Sequence, residues 1–75
     1  MEEVFAQRLR LALKERGMTQ TELADALGVG RWIVCNWCTG RHTPRAYFLP
    51  EIAMMLRVSL DWLFGMDEYT KEEER

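Results

Sequence analysis

Apolar positions fall at helical spacing along nearly the whole chain. Phe5, Leu9, Ala12 and Leu13, continued by the stem of Arg16, line one face and predict a helix over 4–16 closed by Gly17. Thr19-Gln20-Thr21-Glu22 then reads as a capping box, in which the Thr19 hydroxyl and the Glu22 carboxylate satisfy each other's free backbone donors. The helix it opens turns Leu23, Ala24 and Leu27 inward and ends at Gly28. A third helix over 31–39 turns Val34, Trp37 and Cys38 inward, starts after Gly30 with no side-chain cap, and stops at Gly40. Residues 40–46 form a loop. The fourth helix carries Phe48, Leu49, Ile52, Ala53 and Leu56, with Pro50 held to its first turn because a proline deeper in would delete a hydrogen bond. Ser59 caps a short fifth helix with Leu60, Leu63 and Phe64, closed by Gly65. No segment alternates like a strand, so the expected fold class is all-α with five helices.

Composition narrows the picture. Seventy-five residues hold one domain, and a hydrophobic content of 48% suffices for one small core, which sets the chain apart from disordered sequences. The net charge of −2 is unevenly held: residues 1–65 carry eight Lys/Arg against seven Asp/Glu, and residues 66–75 carry two against five. The expected organisation is a domain over 1–65 followed by an acidic tail over 66–75, either a frayed helix or disordered, whose charge opposes non-specific attraction to polyanions. The chain has no apolar run long enough to span a bilayer, and Met1-Glu2-Glu3 has the wrong charge for a signal peptide. A cytoplasmic protein with no membrane partner is expected, with both cysteines reduced.

The stretch from Gln20 to Thr39 bears on function. It joins two short helices at Gly28, places a small residue, Ala24, where they cross, and supplies Leu23, Leu27, Val29, Val34 and Trp37 to fill the space between them. This is the pattern of a helix-turn-helix. Gly28 takes the left-handed turn that a side chain resists, and Val34 with Trp37 pins the third helix onto the second.

With Thr19-Gln20, Glu22-Leu23-Ala24, Gly28, Gly40, Phe48-Leu49-Pro50-Glu51 and Val58-Ser59-Leu60-Asp61-Trp62-Leu63, the sequence resembles the lambda-repressor-like (Cro/XRE) family, the DNA-binding domains of lambdoid phage repressors and Cro proteins. The resemblance covers about residues 4–65. It implies a compact five-helix domain with the helix-turn-helix at helices 2 and 3, the third helix in the major groove of double-stranded DNA and the second crossing the backbone. It also implies that Arg31, Trp32, Cys35 and Asn36 occupy the outward, base-reading edge. Chemistry agrees for two of them, since arginine forks onto guanine and asparagine pairs with adenine. Thr19 and Gln20 at the start of the second helix, Thr39 at the end of the third, and Arg41, His42, Thr43 and Arg45 in the following loop match backbone-contacting positions, that loop being one residue longer than in the nearest relative. Ile33 stands where the family is commonly polar. Leu13 and Cys38 stand where relatives often bury an arginine-glutamate pair, a joint change to apolar residues that removes a desolvation cost.

The implied function is a prophage-type transcriptional regulator, Cro-like in size, repressing from a palindromic operator. One recognition helix covers few base pairs, so a homodimer is expected with its reading helices roughly 34 Å apart. Trp62, Phe64 and Met66, with Tyr69, are the candidate dimer surface, or else Trp62 and Phe64 close the core. The alternative function is a protein-interaction module, antitoxin-like or an anti-regulator, that reuses the fold with Trp32, Ile33 and Cys35 as an apolar docking patch. Cys35-Asn36-Trp37-Cys38 followed by His42 gives only three candidate zinc ligands where four are normal, and a redox motif of this spacing wants a strand-helix context. A lone loop histidine and the absence of a glycine-rich phosphate cradle argue against an enzyme. No cofactor, metal or small-molecule effector is expected.

Overall fold

The computed structural model describes residues 2–66, so the expectations for the tail beyond Met66, Tyr69 included, lie outside the described residues. Five helices follow in order: α1 (Glu2–Arg16), α2 (Gln20–Leu27), α3 (Arg31–Thr39), α4 (Leu49–Leu56) and α5 (Leu60–Leu63), with a 3-10 turn at Ala46–Phe48 before α4. Among the described residues there is no strand and no helix long and apolar enough to cross a membrane.

α1 packs against α3 and α5, and α2 against α3. The shared core gathers Phe5, Leu9 and Leu13 from α1, Leu23 and Ala24 from α2, Val34, Trp37 and Cys38 from α3, and Ile52, Leu56 and Leu63 from α4 and α5. Leu13 and Cys38 are both buried there. Arg16 is exposed rather than laid over the core, because α1 ends with it and Gly17 turns the chain away; Met18, half-buried, packs on the core instead.

Two arginines on α1 tie the bundle together. Arg8 donates from Nη1 to the Trp62 carbonyl oxygen at 2.6 Å while its guanidinium lies 4.8 Å from the Trp62 ring centre. Arg10 donates from Nη1 to the carbonyl of Cys38 near the end of α3, where the helix dipole is negative and favours a cation. Arg10 therefore ties α1 to the backbone of α3 rather than to one of its side chains.

Local chemistry fixes most of the helix ends. Both halves of the capping box form, with Glu22 N to Thr19 Oγ1 at 3.0 Å and Thr19 N to Glu22 Oε1 at 2.9 Å. Ser59 Oγ accepts from Trp62 N at 3.0 Å. α1 begins two residues earlier than its apolar spacing predicts, with Glu3 in its first turn, a position the dipole favours for an acid. α4 begins at Leu49 rather than Phe48, which belongs to the preceding 3-10 turn, and Pro50 lies in its first turn.

α4 closes on Arg57 at φ 58, the one non-glycine residue with positive φ among those described. A side chain there costs about 1–2 kcal/mol, part of which a glycine returns through its freer unfolded state. Arg57→Gly is expected to raise stability by up to ~1 kcal/mol. Gly28→Ala, at φ 75 with open space around the new methyl, is expected to lower it by ~1–2 kcal/mol through backbone strain alone. Urea unfolding followed by circular dichroism reads both.

Candidate nucleic-acid interface

Burial of Val34, Trp37 and Cys38 fixes how α3 is rotated. Those positions consume one helical face, so Arg31, Trp32, Cys35 and Thr39 emerge exposed on the other and Asn36 is half-buried at its edge. Trp32 keeps 69% of its surface open to solvent. At the start of α2, Thr19 is exposed with its hydroxyl in the cap, and Gln20 is half-buried.

The turn before α3 and the loop after it are built by backbone hydrogen bonds to the two helix ends. Gly28 N donates to Asp25 O at 3.2 Å and Val29 N to Ala24 O at 3.0 Å, which satisfies the last carbonyls of α2. The Asn36 carbonyl accepts from Arg41 N at 3.0 Å, from His42 N at 3.3 Å and from the Thr39 hydroxyl at 3.2 Å. The helix that presents Asn36 thus also places Arg41 and His42. Beyond them Pro44 is buried, and Phe48 comes back against Trp37 with ring centres 5.8 Å apart.

The fold-back encloses a groove of about 390 Å³ between α3 and the loop. Val29, Ile33, Trp37 and Phe48 give it an apolar lining, and Trp32, Asn36, His42, Thr43 and Arg45 complete it. Two of the base-reading candidates thereby meet three of the backbone candidates. Arg31, Cys35, Thr39 and Arg41 are exposed outside this lining, as is Thr19, and Gln20 is half-buried outside it. Sequence reasoning missed Val29 and Phe48 as groove residues. Ile33, apolar on a face expected to be polar, was the one signal of the lining.

Charge is also segregated. Between Asp25 and Glu51 the chain has no acidic residue, and it carries Arg31, Arg41, Arg45 and His42. A local excess of cations on α3 and its loop suits a phosphate backbone even in a chain whose net charge is negative.

The two cysteines are free and differ in setting, Cys35 exposed and Cys38 buried. Burial pushes the Cys38 thiol up to about 11 from an ordinary 9.0, against the nearby positive charge of Arg10, with Cys35 adding to the rise. Among the described residues no group of three His, Cys, Asp or Glu side chains gathers as a metal site needs. At the proposed dimer surface, Trp62, Phe64 and Met66 are each half-buried; Phe64 stacks on Phe5 with centres 4.9 Å apart, and Met66 N donates to Asp61 O at 2.7 Å.

A family model described as helix-turn-helix matches residues 9–63, the span that holds α2, α3 and the groove. The chain belongs to the lambda-repressor-like helix-turn-helix family. It is similar to the HTH-type transcriptional regulator ImmR of Bacillus subtilis, at 32% identity over 93% of this chain and 55% of that protein. It is also similar to HTH-type transcriptional regulators for conjugative elements, R391 in Providencia rettgeri and SXT in Vibrio cholerae. Each is 36% identical over 79% of this chain and 27% of the relative. The chain therefore spans about half the length of the first of these relatives and about a quarter of the others. No solved structure matches it.

In this helix-turn-helix domain the two thiols should separate in a labelling experiment. Iodoacetamide at mildly alkaline pH is expected to modify Cys35 in the native protein and Cys38 only after denaturation, as read by mass spectrometry. Because the folded value of Cys38 lies above its unfolded value, its protonated form contributes stability that is present below pH 9.0 and lost as pH rises through about 11. Wild type is expected to lose stability relative to Cys38→Ala across that window.

Proposed function

We propose that this chain is a sequence-specific DNA-binding regulator of transcription, of the prophage or conjugative-element type, that represses by occupying an operator. The observation that carries this reading is the groove in which Trp32 and Asn36, on the outward edge of the helix-turn-helix's second helix, meet His42, Thr43 and Arg45. Family membership and the regulator names of the relatives support it. Arg31 and Asn36 read base edges, Trp32 and Cys35 offer apolar contact to thymine methyls, and Thr19, Gln20, Thr39, Arg41, His42, Thr43 and Arg45 hold the sugar-phosphate backbone. The chemistry is recognition alone, with no catalytic step, no cofactor and no metal, and it takes place on cytoplasmic DNA.

The proposed working form is a homodimer on a palindromic site, paired through the half-exposed Trp62, Phe64 and Met66 at the exit of α5. The exposed Trp32 and the apolar groove lining favour one other reading, a protein-docking module on the same fold. Duplex DNA separates the two: the regulator binds random sequence with a steep salt dependence, and the docking module does not.

Fluorescence anisotropy with labelled duplexes tests the residue roles. Asn36→Ala is expected to cost about 1–3 kcal/mol on the preferred site and to relax preference at one base pair, while Arg41→Ala weakens all sequences alike and lowers the salt slope by about one. Equal effects of both changes on preferred and random DNA would contradict the assignment. Light scattering is expected to show two chains per operator, and a monomer both free and on DNA would refute the pairing.

A further inference from the structure

Glycine 30 has no backbone reason to be a glycine. Its φ of −72° and ψ of 150° are extended values open to every residue, unlike those of Gly28 and Gly40, which sit at positive φ. It caps α3, a position where serine, threonine, asparagine and aspartate are preferred, and no side-chain cap replaces what it lacks. α2 and α5 both carry such caps, at Thr19 and Ser59.

What the glycine provides is space for one ring. A methyl group at position 30 would stand 2.7 Å from Trp32 Nε1 and 2.9 Å from Trp32 Cδ1, well inside contact distance. The indole of Trp32 is folded back onto the turn between α2 and α3, over the bare α-carbon. It is otherwise 69% exposed, so any substituent at position 30 would displace the ring rather than the backbone. That ring also lines the groove that holds Asn36.

We infer that Gly30 is a positioning residue for base recognition: by leaving its Cβ site empty, it seats the Trp32 indole beside Asn36 and so sets which base pair the first turn of α3 accepts. The inference rests on the DNA-reading function proposed above and adds to it a residue that itself contacts no base. An exposed tryptophan free to turn would lose rotamer freedom on binding, and a pre-seated one loses less. The weak cap on α3 is then retained because a stronger one would unseat the ring.

The test compares wild type, Gly30→Ser, Gly30→Ala, Trp32→Ala and the double variant Gly30→Ser/Trp32→Ala, with base preference read by selection from a randomised duplex pool. Free proteins labelled with 5-fluorotryptophan report the ring by fluorine NMR, and thermal melting reports the fold. The Trp32 resonance is expected to shift in both Gly30 variants, with the melting temperature of Gly30→Ser equal to or above that of wild type, since serine improves the cap. Both Gly30 variants should lose discrimination at the base pair that Trp32→Ala affects, by ~10-fold, within the span of a good base contact. Adding Gly30→Ser to Trp32→Ala should change nothing further, the signature of coupled positions. A wild type without sequence preference would refute the DNA-reading function, and the inference would fall with it. A wild-type preference left unaltered by Gly30→Ser, or an additive double variant, would overturn the role of Gly30 and leave the function standing. A lowered melting temperature in both Gly30 variants with unshifted fluorine resonances would make position 30 merely structural.

Discussion

The rotation of α3 about its own axis is the constraint on which the proposed reading edge depends. Val34, Trp37 and Cys38 are buried at 0%, 4% and 1% exposure against α1 and α2, and helical periodicity then decides which residues emerge on the far side. Each buried large side chain is worth about 1.5–3 kcal/mol, so rotating the helix to present another face would forfeit several of them together. The set of side chains that α3 turns outward is thus a by-product of core packing. The capping box that starts α2 and the Gly28 turn fix where α3 begins, and the bond from Arg10 to the Cys38 carbonyl holds its far end to α1.

The loop after α3 extends this logic to the groove. It is anchored at one end by the Asn36 carbonyl, which holds Arg41 and His42, and at the other by Phe48 against Trp37, with Pro44 buried between. Tyr47 meets Phe48 edge-on at 5.2 Å and is otherwise exposed. Since Trp37 belongs to the core and also lines the groove, the loop's position is slaved to the same packing that rotates α3. Arg41 and Arg45 on this loop are therefore held near the outward residues of α3, which would lower the ordering cost of the proposed contacts to DNA.

Much of this was legible in the residues themselves. Thr19 with Glu22, Gly28, Ser59 and the inward triad of α3 each have one local solution, and the structure adopts it. The family resemblance also pointed to Leu13 and Cys38 as apolar replacements for an ion pair, and both lie in the core. What escaped the sequence depends on non-local geometry. The 3-10 turn at Ala46–Phe48 accompanies the contact of Phe48 with Trp37 across the loop, and the partner of Arg10 is a backbone carbonyl, which no side-chain pattern announces. Gly30 read as a weak cap because its reason for being small is the ring of a neighbour two residues on. The family resemblance pointed to Arg31, Trp32, Cys35 and Asn36 as the outward edge of α3, where three are exposed and Asn36 is half-buried, but the groove that unites Trp32 and Asn36 with the loop required the fold.

Selection of bound duplexes from a random pool by the wild-type chain tests the central claim most directly, that core packing turns a base-reading edge outward on α3. The account predicts enrichment of a short motif whose preferences change when residues of that edge are altered and survive changes elsewhere on the surface. A pool that returns no motif, or one whose motif is indifferent to the outward residues of α3, would contradict it.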